Sequence, residues 1–122
     1  MNFGIRSEEL PDAGWLIALT GEVDLYTAPQ FKEELVQATT SGARRVVVDM
    51  TETTFIDSTT LGVLVGGLRR LRPSGGELLL VITDRKIRKI FEITGLDRVF
   101  PILESQSEAL ESPVGAARLD GA

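Results

Sequence analysis

Neither cysteine nor histidine occurs in the 122-residue sequence. The absence of cysteine excludes disulfides, thiolate metal sites and cysteine nucleophiles. The absence of histidine excludes histidine-based triads, imidazole general bases and nearly every zinc site. Long apolar runs are also missing, since Leu78–Ile82 is far short of the roughly 20 residues that span a bilayer. Because the N-terminus shows no basic-then-apolar signal peptide, we expect a cytoplasmic protein that does not associate with membranes.

Basic side chains are outnumbered by acidic ones. The chain has 13 Lys and Arg against 18 Asp and Glu, which gives a net charge of −5. This balance disfavours nucleic acid, whose binding requires a basic surface. Residues 1–60 carry four basic and ten acidic side chains, whereas residues 61–98 carry eight basic and four acidic ones. Such a division favours a protein partner over a polyanion.

Five segments have the composition of β-strands, with apolar and β-branched residues bounded by turn residues. They are Phe3–Leu10, Trp15–Thr20, Val46–Val48, Leu78–Ile82 and Val99–Ile102. The first two are predicted to form a hairpin through Pro11–Gly14, where Pro11 presets φ and Gly14 supplies a positive φ. Pro101 predicts that the last strand lies at an edge of the sheet.

Four segments are predicted helices, because their apolar residues follow the 3.6-residue period between start and stop signals. They run from Thr27-Ala28-Pro29 to Ser41-Gly42, over Thr59–Leu71, from Asp84 to Gly95, and over Gln106–Ser112. Thr27 and Asp84 are predicted to cap their helices. The predicted buried faces contain Phe31, Leu35 and Ala38 in the first helix, and Ile87, Ile90 and Phe91 in the third.

The alternation of strands and helices predicts βαβ units and a mostly parallel sheet. We therefore expect a single α/β domain over residues 1–112, with a sheet of four to five strands opened by a β-hairpin and with about four helices. Small and polar residues after Pro113 predict a flexible C-terminal tail over residues 113–122. The pattern leaves open which faces of the sheet the helices cover.

The segment Asp57-Ser58-Thr59-Thr60-Leu61-Gly62 follows the strand at Val46–Val48 after a polar loop. Its place in the chain predicts that Ser58 is the N-cap of the second helix. Capping alone is a sufficient role, because serine is a leading N-cap residue. Alternatively the hydroxyl is modified, since a phosphate there would meet the free N–H groups of a helix N-terminus.

This segment resembles the phosphoacceptor loop of STAS domains, and more narrowly that of the bacterial anti-sigma factor antagonists. Two further stretches agree with the family: Leu19–Pro29, which reads LTGEVDLYTAP, and Ile93–Phe100, which reads ITGLDRVF. The three stretches occur in the family's order, and the similarity runs from about Phe3 to Leu110. The resemblance implies a STAS-like fold.

The resemblance also implies a partner-switching role. Such an antagonist binds an anti-sigma factor that is also a serine kinase, and thereby releases a sigma factor. Phosphorylation at the position of Ser58 ends the binding, and a serine phosphatase restores it. The implied partner-binding residues are Asp24 and Asp57, and we expect Thr59, Thr60 and Gly62 beside them. No cofactor or metal is expected, since ATP and magnesium belong to the kinase and no P-loop is present.

Other functions compete with this one. A serine hydrolase is poorly supported, because Ser58 lacks the Gly-x-Ser-x-Gly elbow and no histidine can act as its base, so we predict that the chain is not an enzyme. A STAS interaction module that is never phosphorylated, such as a signalling scaffold or a transporter accessory subunit, remains the alternative. The free chain is expected to be monomeric. The sequence identifies neither the sigma factor nor the kinase, phosphatase or signal.

Thr60 departs from the family pattern, which usually has glycine there. It would add a third hydroxyl beside Ser58 and Thr59, so the sequence leaves open whether either threonine is also modified. Gly62 and Gly66 follow Ser58 at intervals of four and share its helix face. Close helix packing is the favoured interpretation of these two glycines, and a low surface for a partner is the alternative.

Glu22, Asp24 and Asp57 carry carboxylates in the stretches that match the family. Without histidine, magnesium or calcium would be the metal ions they could hold. A partner-facing acidic patch is the favoured interpretation.

Overall fold

A five-stranded sheet forms the centre of the structure, a computed structural model that describes residues 3–111. The strands are β1 (Phe3–Leu10), β2 (Gly14–Val23), β3 (Arg45–Ile56), β4 (Glu77–Val81) and β5 (Ile102–Leu103). The helices are α1 (Ala28–Thr40), α2 (Ser58–Leu71), α3 (Arg85–Thr94) and α4 (Gln106–Glu111). The strands lie in chain order across the sheet, with β1 antiparallel to β2 and all other neighbours parallel. The predicted α/β fold, with its opening hairpin and mostly parallel sheet, is confirmed. The predicted tail, residues 113–122, lies outside the described residues.

Three helices pack on one face of the sheet and form the main core with it. The buried helix residues are Phe31, Leu35 and Ala38 of α1, Leu64 and Leu71 of α2, and Ile87 and Phe91 of α3. The predicted apolar faces of α1 and α3 are therefore confirmed, with Ile90 partly buried against the same core. Each large apolar side chain buried here stabilises the fold by about 1.5–3 kcal/mol relative to exposure.

The short helix α4 packs on the opposite face, which the sequence pattern left undecided. Its Ala109 joins a second apolar cluster with Leu16, Val47, Leu79 and Val81 of the sheet. Arg45 Nη1 donates to the Ala109 carbonyl at 3.2 Å, and Arg45 Nη2 lies 3.0 Å from Glu77 Oε1 in a buried ion pair. These contacts place α4 against β3 and β4.

The turn of the opening hairpin uses two residues with positive φ, Asp12 at 61° and Ala13 at 59°. The Gly14 N–H closes the turn on the Pro11 carbonyl at 3.2 Å. Positive φ at both central positions is the pattern of a type I′ turn, whose twist matches that of the flanking strands. The prediction that Gly14 supplies the positive φ is wrong, because Gly14 is already the first residue of β2.

Strands β3 and β5 differ from their predicted extents. β3 continues to Ile56 through residues predicted as a polar loop, because those residues pair in parallel with the end of β2. β5 begins at Ile102, later than predicted, since Val99 and Phe100 still donate to the Leu96 carbonyl in a 3₁₀ turn. The edge position predicted from Pro101 is confirmed. In the part of the chain that the structure describes, no helix has the length and apolar character needed to cross a bilayer.

Candidate functional site

The carboxyl ends of β2 and β3 lie side by side and bring the predicted site residues together. Val23 pairs with Ile56 at the end of the two strands. Asp24 follows Val23, and Asp57 follows Ile56, so both carboxylates leave the sheet at the same edge. This edge is where open α/β sheets place their functional loops.

Two β-bulges in β3 precede the site. The register between β2 and β3 shifts twice, the second time between Gly21 and Glu22, and each time β3 contributes the extra residue. Bulges redirect the side chains that follow them and occur often beside functional sites. Beyond the second bulge Phe55 points outward with 48% of its surface exposed, whereas Ile56 is buried in the main core.

Asp57, and not Ser58, is the N-cap of α2. Its backbone is extended, and its Oδ1 accepts hydrogen bonds from the N–H groups of Thr59 at 3.0 Å and Thr60 at 3.3 Å. Its Oδ2 accepts from the Leu25 N–H at 3.1 Å, which links α2 to the loop after β2. The predicted N-cap role of Ser58 is wrong, because aspartate caps a helix as well as serine does and stands one residue earlier.

Ser58 occupies the first position of α2 and is exposed. The capping hydrogen bonds of this helix go to Asp57, so the serine hydroxyl has no part in holding the helix end. Ser58 is therefore an exposed serine at the carboxyl edge of the sheet, directly after Asp57 in the chain.

Asp24 organises the loop between β2 and α1. Its Oδ1 accepts from the N–H groups of Tyr26 at 2.9 Å and Thr27 at 3.2 Å. The Thr27 hydroxyl donates back to the Glu22 carbonyl at 3.1 Å and accepts from the Asp24 N–H at 2.9 Å. The prediction that the Thr27 side chain caps α1 is wrong, because its hydroxyl serves the preceding loop instead.

Thr60, predicted as a third hydroxyl beside Ser58 and Thr59, is fully buried. Its Oγ1 donates to the Val23 carbonyl at 2.6 Å and lies 3.4 Å from Asp57 Oδ1. The Thr60 side chain thus bonds the start of α2 to the end of β2, and the partner contact expected at this residue stays a prediction. Thr59 is partly exposed beside Ser58.

Gly62 and Gly66 lie on an open face of α2. Apart from its chain neighbours and the backbone of its own helix, a Cβ on Gly62 would meet no described atom within 4 Å, and one on Gly66 would approach the Arg70 guanidinium at 3.6 Å. The favoured interpretation, close packing at these two glycines, is wrong. Gly67 is the packed glycine, since a Cβ there would come within 2.5 Å of Leu35. Gly67 lies between Leu64 and Leu71 at helical spacing on the buried face of α2, and this spacing is the sequence signal for a packed glycine.

Sequence reasoning missed the exposed apolar side chains around Ser58. Leu25 is 61% exposed and Tyr26 is 87% exposed, in the loop that Asp24 and Asp57 hold. Phe55 adds a third, on β3. The sequence signal that could have predicted them is a pair of large apolar residues, Leu25 and Tyr26, in the loop between the end of β2 and the start of α1.

The carboxylates near Ser58 act in the structure as hydrogen-bond acceptors for the backbone. Within residues 3–111, no cluster of three or more acidic residues has the arrangement of a metal site. Oxygens of Asp24 and Asp57 instead accept backbone N–H groups in two adjacent loops.

The fold and this edge of the sheet define a class of protein: a small α/β domain that exposes a serine at the start of a helix, beside a hydrogen-bonded loop. The chain belongs to the STAS domain family, whose model matches residues 5–109. The expected family is thereby confirmed.

One relative agrees with this assignment, and two solved structures share the fold. The anti-sigma-B factor antagonist of Listeria monocytogenes is 36% identical over 108 residues, which cover 88% of this chain and 95% of that protein. An anti-sigma factor antagonist from Mycobacterium paratuberculosis has a structure with a TM-score of 0.81, at 24% identity, and covers 89% of this chain and 92% of that one. The Bacillus cell fate determinant SpoIIAA, in its phosphorylated form, gives a TM-score of 0.72 at 24% identity, covering 88% of this chain and 97% of that one.

Proposed function

We propose that this chain is an anti-sigma factor antagonist that is switched off by phosphorylation of Ser58. In the unmodified state it binds an anti-sigma factor that is also a serine kinase, and a sigma factor is released. A serine phosphatase reverses the modification. The observation that carries the proposal is the exposed Ser58 hydroxyl, which stands outside the capping network of α2 because Asp57 supplies the cap.

Ser58 is the best acceptor among the three neighbouring hydroxyls. Thr60 is fully buried, and its hydroxyl already donates to the Val23 carbonyl. Thr59 is only partly exposed, and its backbone N–H is held by Asp57. A kinase must reach the oxygen from solvent, so the order of accessibility supports Ser58 first, Thr59 second and Thr60 last.

The geometry supports a switch by local charge. A phosphate adds about −1.5 to −2 charge at pH 7. On Ser58 it would stand beside the Asp57 carboxylate, which already accepts the N–H groups of Thr59 and Thr60. The helix end therefore offers the phosphate less compensation than an uncapped N-terminus would. A partner that fits the unmodified surface must then desolvate this charge, which costs several kcal/mol unless a cation meets it.

In the proposed role, the chain acts by binding a partner and catalyses no reaction. It works in the cytoplasm and is a monomer when free. The similarity to an anti-sigma-B factor antagonist over 95% of that protein's length supports this role. A STAS scaffold that never carries phosphate is the second candidate, because Ser58 could also serve as an unmodified contact residue.

Incubation with candidate anti-sigma factor kinases and ATP, followed by intact-mass measurement and site mapping, tests the proposal. We expect the addition of one phosphate to Ser58, loss of that phosphate in Ser58→Ala, and its retention in the matched variant Thr59→Ala. Unmodified protein that binds the kinase but never gains phosphate would identify the scaffold instead. Equal incorporation in Ser58→Ala would assign the acceptor to another residue.

A further inference from the structure

We propose that Leu25 and Tyr26 are the apolar anchors with which this protein docks on the partner that reads Ser58. The partner is a protein with an apolar recess for these two side chains and with basic residues around that recess. This inference rests on the proposed function, because it assigns the anchors to the same anti-sigma factor.

The two side chains project from a loop whose backbone is fixed. The Leu25 N–H donates to Asp57 Oδ2 at 3.1 Å, and the Tyr26 N–H donates to Asp24 Oδ1 at 2.9 Å. Thr27 closes the same loop through the Glu22 carbonyl. Because the backbone is already ordered, docking through this loop costs little conformational entropy, which is the advantage of a preorganised contact.

The anchors are continuous with the proposed phosphorylation surface. Asp57 joins them directly, since one of its carboxylate oxygens holds Leu25 while the other caps the helix that begins at Ser58. The exposed Phe55 lies two residues before Asp57 on the neighbouring strand and extends the apolar area. Tyrosine is among the residues enriched at the energetic centres of protein interfaces.

The charges around the anchors decide what kind of partner fits. The carboxylates of Asp24 and Asp57 occupy the two loops here, and the sequence segments 20–30 and 50–60 contain no Lys or Arg. A second copy docking through the same face would bring these carboxylates against each other, which disfavours that complex. A different protein with cations around an apolar recess complements the surface.

The anchors also explain how one phosphate could prevent docking. An apolar side chain contributes to binding only if water leaves its surroundings. A phosphate on Ser58, beside the Asp57 carboxylate that holds Leu25, would keep water at the border of the recess. The apolar contact and the phosphate are therefore mutually exclusive at this surface.

The test compares Tyr26→Ala and Leu25→Ala with the matched variant Ile93→Ala, using the anti-sigma factor kinase that phosphorylates Ser58. Ile93 is 74% exposed on the last turn of α3, outside α2 and the loop between β2 and α1. By calorimetric titration we expect Tyr26→Ala to weaken binding by about 30-fold or more and Leu25→Ala by about tenfold. Ile93→Ala should change affinity less than twofold, and all three melting temperatures should stay near the wild type.

Wild-type affinity in both Tyr26→Ala and Leu25→Ala, with intact binding by the unmodified protein, would overturn the anchor assignment and leave the proposed function standing. Failure of the unmodified protein to bind any anti-sigma factor would overturn both. Sedimentation across a range of protein concentrations tests whether a second copy of this chain binds the patch instead. A dimer that Tyr26→Ala abolishes would assign the patch to a second copy and would contradict the proposal.

Discussion

The carboxylate of Asp57 accepts the backbone N–H of Leu25 at 3.1 Å through Oδ2 while its Oδ1 caps helix α2. One side chain thus joins two loops that are 32 residues apart in the chain. Both loops leave the same edge of the sheet, so the position of the exposed Ser58 is fixed relative to the loop that carries Leu25. The following predictions depend on this link and on the contacts around it.

Asp57→Ala should destabilise the protein by about 2 kcal/mol, because it removes the N-cap of α2 and the acceptor for Leu25 together. Ser58→Ala should change stability by less than about 0.5 kcal/mol, since Ser58 is exposed and caps nothing. Urea unfolding of the two variants measures the difference. A larger loss in Ser58→Ala than in Asp57→Ala would show that serine holds the helix end in solution.

Asp24→Asn should weaken partner binding with little change in stability, because the asparagine oxygen can still accept from Tyr26 and Thr27 while the charge is lost. Asp24→Ala removes the acceptor as well and should cost about 1 kcal/mol of stability. Thermal unfolding and binding titrations on both variants separate the roles of charge and acceptor. Full affinity in Asp24→Asn, with stability lost only in Asp24→Ala, would make Asp24 a purely structural residue.

Thr60→Val should destabilise the protein by about 1–3 kcal/mol, because the buried Val23 carbonyl loses its hydrogen bond from the threonine hydroxyl. Thr60→Ser keeps the donor and should restore most of that loss. Neither variant should reduce phosphate incorporation by the kinase, since Thr60 is buried. Denaturant unfolding and phosphate measurement check the two expectations. A fall in incorporated phosphate for a stable Thr60→Ser would instead indicate modification at this residue.

Phosphorylated Ser58 should bind the anti-sigma factor about 100-fold more weakly than the unmodified protein, because its charge adds to that of Asp57 at the docking surface. The circular dichroism spectrum should be nearly unchanged, since the cap of α2 belongs to Asp57. Ser58→Asp should reproduce part of the weakening, because one carboxylate carries less charge than a phosphate. Loss of helical signal on phosphorylation would indicate refolding and contradict a switch by local charge.

Gly62→Ala and Gly67→Ala should shift stability in opposite directions. Alanine at Gly62 meets open space and gains helix propensity of up to about 1 kcal/mol. Alanine at Gly67 would press on Leu35 and Leu78 in the core and should destabilise. Melting temperatures of both variants test this contrast, and a binding titration of Gly62→Ala shows whether its open face contacts the partner. Stabilisation by Gly67→Ala would contradict the packing described for α2.

Local patterns determined the main elements of the fold. The apolar faces of α1 and α3 followed from the 3.6-residue period, because each helix buries one stripe of side chains whatever lies beneath it. The Asp84 cap and the Gly95 end of α3 followed from the preferences of single residues. The family motif around Ser58 also predicted which region of the chain holds the candidate site.

Contacts between distant residues decided what those patterns left open or predicted wrongly. Asp57 is the N-cap in place of the predicted Ser58, and only the folded chain brings the Leu25 N–H to the second oxygen of that carboxylate. Thr60 is buried because the end of β2 supplies an acceptor 37 residues away. The segment Asp57–Thr60 contains several residues that can cap a helix or donate a hydroxyl. Which of these side chains is buried depends on β2, whose end lies beside the start of α2. The exposed serine is therefore a property of the tertiary structure.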